Sequence, residues 1–157
     1  MQEVELKSVI KACQMDELTA EEQHLLQLAI EATSRSYSPY SKFSVGAAVR
    51  LGNGIELTGS NQENAAYPSG LCAERTVLFY AGAQYPDVPV TMLAIAARGT
   101  DGALTEEPTG PCGSCRQVIV ESETRASRPI RILLYGRRHC YVIEGIRPLM
   151  PLCFSEF

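Results

Sequence analysis

Three cysteines stand at positions that favour metal binding. Cys112 and Cys115 form a C-x-x-C unit, and Cys72 stands alone far upstream. A close pair with one distant cysteine is more typical of a metal site than of a disulfide framework. Three thiolates on one zinc ion leave a fourth coordination position for water, which distinguishes a catalytic zinc site from a closed structural one. We therefore predict that Cys72, Cys112 and Cys115 bind Zn²⁺.

Two further residue types complete a reactive site. Glu74 follows Cys72 by two positions, so its carboxylate can face the open coordination position without binding the metal. A carboxylate placed there fits a general acid/base that moves a proton from water to a substrate and on to a leaving group. Three thiolates on Zn²⁺ leave one net negative charge, which a nearby cation would offset. Arg75 and Arg116 each follow a key residue, and we favour Arg75 for tuning this charge.

The cysteines must lie at the starts of two helices, whose positive ends favour thiolates. Thr19 and Glu22 form a capping box at the start of another helix, which ends before Pro39. Asn53-Gly54 marks a tight hairpin turn. This order of elements predicts a three-layer α/β/α sandwich with a mixed central sheet of about five strands. The predicted strands cover 4–12 at an edge, 45–51, 55–59, 90–97, 130–135 and 140–143, the two cysteine-bearing helices cover 72–83 and 112–123, and a helical turn precedes Pro151.

Bulk properties narrow the class of protein. A chain of 157 residues fits one domain, predicted over 1–157. The net charge of -4 argues against a nucleic-acid partner, since polyanion binding needs a concentrated basic face. The N-terminus has no apolar core of a signal peptide, and no apolar stretch approaches the length of a membrane span. We therefore expect a cytoplasmic protein, with its six cysteines reduced.

Five stretches in the same order carry a resemblance to a known family. They are SYSPYSKFSVGAAV (36 to 49), NQENAAY (61 to 67), CAERT (72 to 76), PCGSCRQV (111 to 118) and LMPLCF (149 to 154). Together they resemble the small, homotetrameric cytidine deaminases with a Cys₃ zinc site, from Ser36 to Phe154. Residues 1–15 form an N-terminal extension beyond the usual start of that family. The resemblance implies hydrolytic deamination of cytidine and deoxycytidine to uridine and deoxyuridine in pyrimidine salvage.

The resemblance also implies roles that spacing alone does not assign. Asn61 and Glu63 match residues that bind the ribose hydroxyls, and Phe43 matches an aromatic that packs on the pyrimidine ring. Ala73 matches a backbone contact to the base. Tyr67 and Phe154 match aromatics that close the site from neighbouring subunits, which implies a homotetramer with shared active sites.

Other interpretations of the same residues stay open. A structural zinc site would need a fourth ligand, and neither His24 nor His139 stands at a fitting spacing. A C-x-x-C redox centre leaves Cys72 and Glu74 unexplained.

A related deaminase could act on another aminopyrimidine, such as a nucleoside antibiotic. Asn61, Glu63 and Phe43 discriminate between the two, because the full set predicts a pocket for a nucleoside sugar. A deaminase of polymeric RNA or DNA typically has a histidine in place of the first cysteine, and it needs a basic channel that this chain lacks.

Overall fold

The structure is a computed structural model that describes residues 1–155. Its sheet has six strands in the order β1-β6-β5-β4-β2-β3, and all neighbouring pairs are antiparallel except β4 and β5. This confirms the predicted sandwich with a mixed sheet, although the sheet has six strands rather than about five. The elements are β1 (Lys11–Cys13), α1 (Ala20–Ala32), β2 (Ser44–Leu51), β3 (Glu56–Ser60), α2 (Ala73–Gln84), β4 (Val90–Arg98), α3 (Gly113–Ala126), β5 (Arg131–Tyr135) and β6 (Cys140–Glu144).

The helices cover both faces of the sheet. Along β2, Ala47 and Val49 pack into the core cluster that contains α2 and α3, whereas Ala48 packs into the cluster that contains α1. This alternation follows from the two-residue period of a strand, and both faces are apolar because both are covered. The result is a three-layer arrangement with α1 on one side and α2 and α3 on the other.

The start of α1 is held by the predicted capping box. The Thr19 hydroxyl accepts the backbone N–H of Glu22 at 3.3 Å, and the Glu22 carboxylate accepts the backbone N–H of Thr19 at 2.8 Å. These two bonds satisfy donors that a helix start otherwise leaves without a partner. The helix then buries Leu25, Leu26 and Ala29 against the sheet.

The prediction of a strand over residues 4–12 was wrong over most of its length. Only Lys11–Cys13 pairs with β6, and the upstream side chains are exposed, including Val4 at 79% and Leu6 at 53%. Alternating apolar residues favour an extended chain, but a strand also needs a neighbouring edge to bond and a surface to bury its apolar face. Residues 4–10 have no such neighbour among the described residues, so the strand is limited to Lys11–Cys13.

The sheet topology brings two helix starts together. The chain leaves β3, enters α2 after Cys72, leaves β4, and enters α3 after Cys112. Since α2 and α3 pack on the same face of the sheet, their first turns meet although they are far apart in sequence. Among residues 1–155, no helix is both long enough and apolar enough to cross a lipid bilayer.

Candidate metal centre and active site

Three sulfur atoms meet where α2 and α3 begin. The Sγ atoms of Cys72 and Cys112 lie 3.7 Å apart, and those of Cys112 and Cys115 lie 3.5 Å apart. Sulfur atoms bound tetrahedrally at about 2.3 Å from zinc lie about 3.8 Å apart. These two separations, with all three sulfurs within 4.8 Å of one another, therefore fit a zinc ion between them.

The electrostatics of the cluster also fit a cation. A hydrogen bond from the Cys115 thiol is the largest cause that lowers the pKa of Cys72 to about 5, and hydrogen bonding from Arg75 adds to it. The same hydrogen bond to Cys72, together with burial, raises the pKa of Cys115. Sulfurs this close repel one another as anions, so one thiolate forms at the expense of its neighbour. A divalent cation removes this conflict and lets all three act as thiolates.

The cluster has three protein ligands. Within residues 1–155, Cys72, Cys112 and Cys115 form the group of possible ligands whose donor atoms all lie within 4.8 Å of one another. His24 instead pairs with Glu56 at 3.1 Å, and His139 lies 3.4 Å from Glu107. A tetrahedral ion held by three thiolates has a free fourth position, which favours a catalytic over a closed structural zinc site.

Arg75 lies against the sulfurs. Its Nη2 atom donates to Cys72 Sγ at 3.7 Å, and its Nε atom is buried with no hydrogen-bond partner among residues 1–155. Arg116 points elsewhere, because Nε donates to the carbonyl of Pro111 at 2.8 Å and Nη1 to that of Leu149 at 2.5 Å. Of the two arginines considered from the sequence, Arg75 is thus the one beside the thiolates.

Glu74 is buried beside the cluster. It lies in the first turn of α2, is 4% exposed, and is outside the group of possible metal ligands. Burial raises the pKa of the Glu74 carboxyl, and the neighbouring Cys72 charge acts in the same direction. A carboxyl that holds its proton more tightly than usual, next to a metal site, is suited to proton transfer.

An open cavity of about 460 Å³ adjoins the metal centre. Of the predicted substrate-binding residues, Asn61, Glu63 and Tyr67 line it, and so do Cys72 and Arg75 of the metal centre. A volume of this order is typical of pockets for small molecules. The structure thus brings part of the predicted sugar site and the metal centre to one cavity.

The Asn61 side chain is largely occupied by the protein itself. Its Oδ1 accepts the Ser36 hydroxyl at 2.6 Å and the Val45 N–H at 2.7 Å, and its Nδ2 donates to the Phe43 carbonyl at 2.9 Å. An amide group has two N–H donors, so one N–H is left for a ligand. Asn61 therefore holds the loop before β2 as well as facing the cavity.

The predicted substrate contacts outside the sugar site differ in their relation to the cavity. Phe43 is half-buried, Ala73 is fully buried at the start of α2, and neither lines the cavity among the residues described. Tyr67 is 75% exposed and makes an edge contact with Tyr40 at a centroid distance of 5.9 Å. Phe154 is 66% exposed, and its carbonyl accepts Gln117 Nε2 at 2.8 Å.

Several residues line the cavity that the sequence pattern did not indicate. Tyr40 and Ser41 line the cavity, as do Gln62 and Asn64. Tyr40 and Ser41 belong to the matched stretch SYSPYSKF, which is the signal that could have identified them. The motif alone did not separate residues that face the cavity from residues that shape the loop.

Three cysteine sulfurs converge where α2 and α3 begin, and a buried carboxylate lies in the first turn of α2. In an α/β/α sandwich, this arrangement is that of a zinc-dependent hydrolytic enzyme. The sequence model described as "Cytidine and deoxycytidylate deaminase zinc-binding region" matches residues 19–128. The chain belongs to this cytidine and deoxycytidylate deaminase family, and zinc is its cofactor.

Individual relatives agree with the family match. The cytidine deaminase of Halalkalibacterium halodurans is 44% identical over 99 residues, which cover 63% of this chain and 70% of that protein. The cytidine deaminase of Mycobacterium tuberculosis is 38% identical over 106 residues, which cover 66% of this chain and 74% of that protein. The crystal structure of cytidine deaminase from Burkholderia pseudomallei aligns with a TM-score of 0.72 and 33% identity over 87% of this chain and 100% of that one.

Proposed function

We propose that this protein hydrolyses the exocyclic amine of cytidine and deoxycytidine, with release of ammonia and formation of uridine and deoxyuridine. The observation that carries this proposal is the placement of buried Glu74 beside three converging cysteine sulfurs, next to a cavity of about 460 Å³. The relatives that match this chain bear the name cytidine deaminase, which supports the choice of substrate.

The zinc ion, when bound, supplies Lewis acidity that makes water a competent nucleophile near neutral pH. Cys72, Cys112 and Cys115 hold it, and Arg75 offsets the excess negative charge of the thiolates. Glu74 accepts a proton from the attacking water and delivers it to N3 of the ring as C4 is attacked. It then passes the second proton to the departing amino group, so that cytidine and water yield uridine and ammonia.

The substrate is a free nucleoside in this proposal. Glu63 and the remaining N–H of Asn61 bind sugar hydroxyls, Phe43 packs on the pyrimidine, and Ala73 contacts the base through its backbone. Polar groups that the bound substrate covers reject analogues that lack the hydroxyl, because they are then left unpaired. The net charge of -4 gives no support for a nucleic-acid partner.

The assembly and setting are also proposals. Tyr67 and Phe154 are aromatic and largely exposed in the single chain, which supports a homotetramer in which they close the sites of neighbouring subunits. A nucleoside substrate fits a role in pyrimidine salvage in the cytoplasm.

The test is loss of the cytidine absorbance band on addition of purified protein, with and without prior incubation with a zinc chelator. We expect conversion of cytidine to stop when the chelator removes zinc and to return when zinc is restored. The Cys153→Ser variant is the control for loss of a thiol, since Cys153 lies outside the cluster. A zinc-loaded protein that leaves cytidine and deoxycytidine unchanged contradicts the proposal and directs the search to other aminopyrimidines.

A further inference from the structure

The loop between α1 and β2 is fastened to the segment that carries the proposed sugar-binding residues. The backbone N–H of Tyr37 donates to the carbonyl of Asn61 at 3.0 Å, and the N–H of Glu63 donates to the carbonyl of Tyr37 at 2.8 Å. Together with the Asn61 side-chain bonds, these contacts attach residues 36–45 along one edge of the cavity.

The Glu63 carboxylate is bound to the tip of this loop. Its Oε2 atom accepts the backbone N–H of Tyr40 at 2.9 Å and that of Ser41 at 3.2 Å. Hydrogen bonding from the Ser41 side chain is the largest cause that lowers the pKa of Glu63, and both backbone bonds and Lys42 act in the same direction. Both backbone bonds use the same carboxylate oxygen, Oε2.

The Ser41 hydroxyl also contacts the backbone on the other side of the turn. Its Oγ atom accepts the N–H of Phe43 at 3.0 Å. Between them Lys42 has φ of 57°, a left-handed conformation that is uncommon for a residue with a side chain. The turn is closed by a bond from Lys42 N–H to the Ser38 carbonyl at 3.1 Å. The turn therefore depends on its hydrogen bonds to keep this conformation.

We propose that Ser41 is a positioning residue for substrate binding, because its backbone N–H binds the carboxylate of Glu63 while its hydroxyl holds the backbone of Phe43. One residue therefore contacts Glu63 through its main chain and Phe43 through its side chain. The group that binds the sugar and the ring that packs on the base are then positioned by one residue. This inference rests on the proposed function, from which the roles of Glu63 and Phe43 are taken.

The consequence is that sugar recognition depends on Ser41. Without the Ser41 hydroxyl, Phe43 loses a backbone anchor and the left-handed turn at Lys42 loses a hydrogen bond. The N–H groups of this turn that hold the Glu63 carboxylate are then less well positioned. Both losses affect binding of substrate and transition state alike. A uniform loss of binding raises KM and leaves kcat nearly unchanged.

The experiment compares the full-length zinc-loaded protein with its Ser41→Ala, Ser41→Thr and Ser38→Ala variants, using cytidine and 2′,3′-dideoxycytidine. Ser38→Ala is the matched control, since its hydroxyl contacts Ser44 at 3.3 Å in the same loop rather than Glu63 or Phe43. We expect Ser41→Ala to raise KM for cytidine about tenfold with kcat changed by less than about threefold. Ser41→Thr keeps the hydroxyl at an exposed position and is expected to restore KM.

The ratio of kcat/KM for the two nucleosides separates positioning from a general loosening of the fold. Wild type should prefer cytidine, because Glu63 binds a hydroxyl that the dideoxy compound lacks, and Ser41→Ala should reduce that preference about tenfold. An active wild type whose Ser41→Ala variant matches Ser38→Ala in KM and in this ratio overturns the inference alone. A wild type that leaves cytidine unchanged overturns the proposed function and the inference with it.

Discussion

At the scale of single residues, the main feature of the site is that its cysteine thiols cannot all be negatively charged without a cation. Cys72 gains thiolate character from Cys115 and Arg75, while the pKa of Cys115 rises because its proton is shared with Cys72. Glu74 adds a buried carboxyl beside them. Zinc resolves the conflict among the sulfurs, and Glu74 remains outside the group of ligands with its carboxyl available for chemistry.

The Glu74→Gln variant tests the proton-transfer role. We expect kcat for cytidine to fall by about 10²- to 10⁴-fold, since a glutamine of the same size cannot accept and return a proton. Zinc content and melting temperature should stay near the wild-type values. Glu121→Gln, an exposed change on α3, serves as the control. Near-normal turnover by a zinc-loaded Glu74→Gln protein would remove Glu74 from the mechanism.

At the scale of elements, close packing of helices on the sheet sets the distance between α1 and β2. A Cβ atom added to Gly46 on β2 would lie 2.1 Å from the carbonyl oxygen of Ala29 and 2.6 Å from the nitrogen of Thr33. These are backbone atoms, so they cannot rotate away. Gly59 on β3 has a similar relation to α2, with the Ala73 carbonyl oxygen at 2.9 Å.

Paired glycine substitutions test this packing. Gly46→Ala should destabilise the protein by about 1–3 kcal/mol or more, because α1 must move away from the sheet. Gly82→Ala lies within α2, where the nearest atom is Arg125 Nη1 at 3.7 Å, and should stabilise by about 0.5–1 kcal/mol through helix propensity. Urea unfolding measures both. Equal effects of the two changes would show that close approach at Gly46 does not limit stability.

At the scale of the whole molecule, one buried carboxylate joins the α1 layer to the sheet. Glu22 is 4% exposed and pairs with Arg131 of β5, which also pairs with Glu144 of β6. Burial alone would raise the pKa of Glu22, but hydrogen bonds from Thr19 and Arg131 outweigh it and lower the pKa below the ordinary 4.5. The ion pairs of Arg131 therefore connect α1 to β5 and β6, which are distant from it in sequence.

The pH dependence of unfolding follows from this pair. A carboxyl with a lowered pKa in the folded state adds stability above its unfolded pKa, and that stability is lost as the pH falls through the folded pKa. We expect the free energy of unfolding to decline below about pH 4.5 more steeply in wild type than in Glu22→Gln. Denaturant titrations from pH 6 to about pH 3 measure both slopes. Identical slopes would show that Glu22 does not contribute.

Assembly is the other property that belongs to the whole molecule. If the active unit is a homotetramer, sedimentation should give a particle of four times 17.1 kDa at concentrations where the protein is active. Phe154→Ala should lower activity at saturating zinc, because one chain would no longer complete its neighbour's site. Leu152→Ala, an exposed change in the same tail, is the control. A fully active monomer would contradict shared active sites.

The amino-acid sequence alone predicted the helices, most strands, the three cysteines that converge and the position of Glu74 in a helix start. These features depend on local patterns, namely alternation along β2, the Thr19 capping box, the Asn53-Gly54 turn and the spacing of Cys72 to Glu74. Each of these patterns involves residues that are close in sequence, so each can be recognised without knowledge of the tertiary contacts. The single domain over 1–157 stays a prediction.

The tertiary structure alone decided which side chains face which partner. It placed Arg75 rather than Arg116 beside the thiolates, and it limited the N-terminal strand to Lys11–Cys13. It also bonded Asn61 and Glu63 to the loop over 36–45. Each of these depends on contacts between residues remote in sequence. Spacing along a chain fixes which residues can share a helix turn, but only packing fixes what lies across from them.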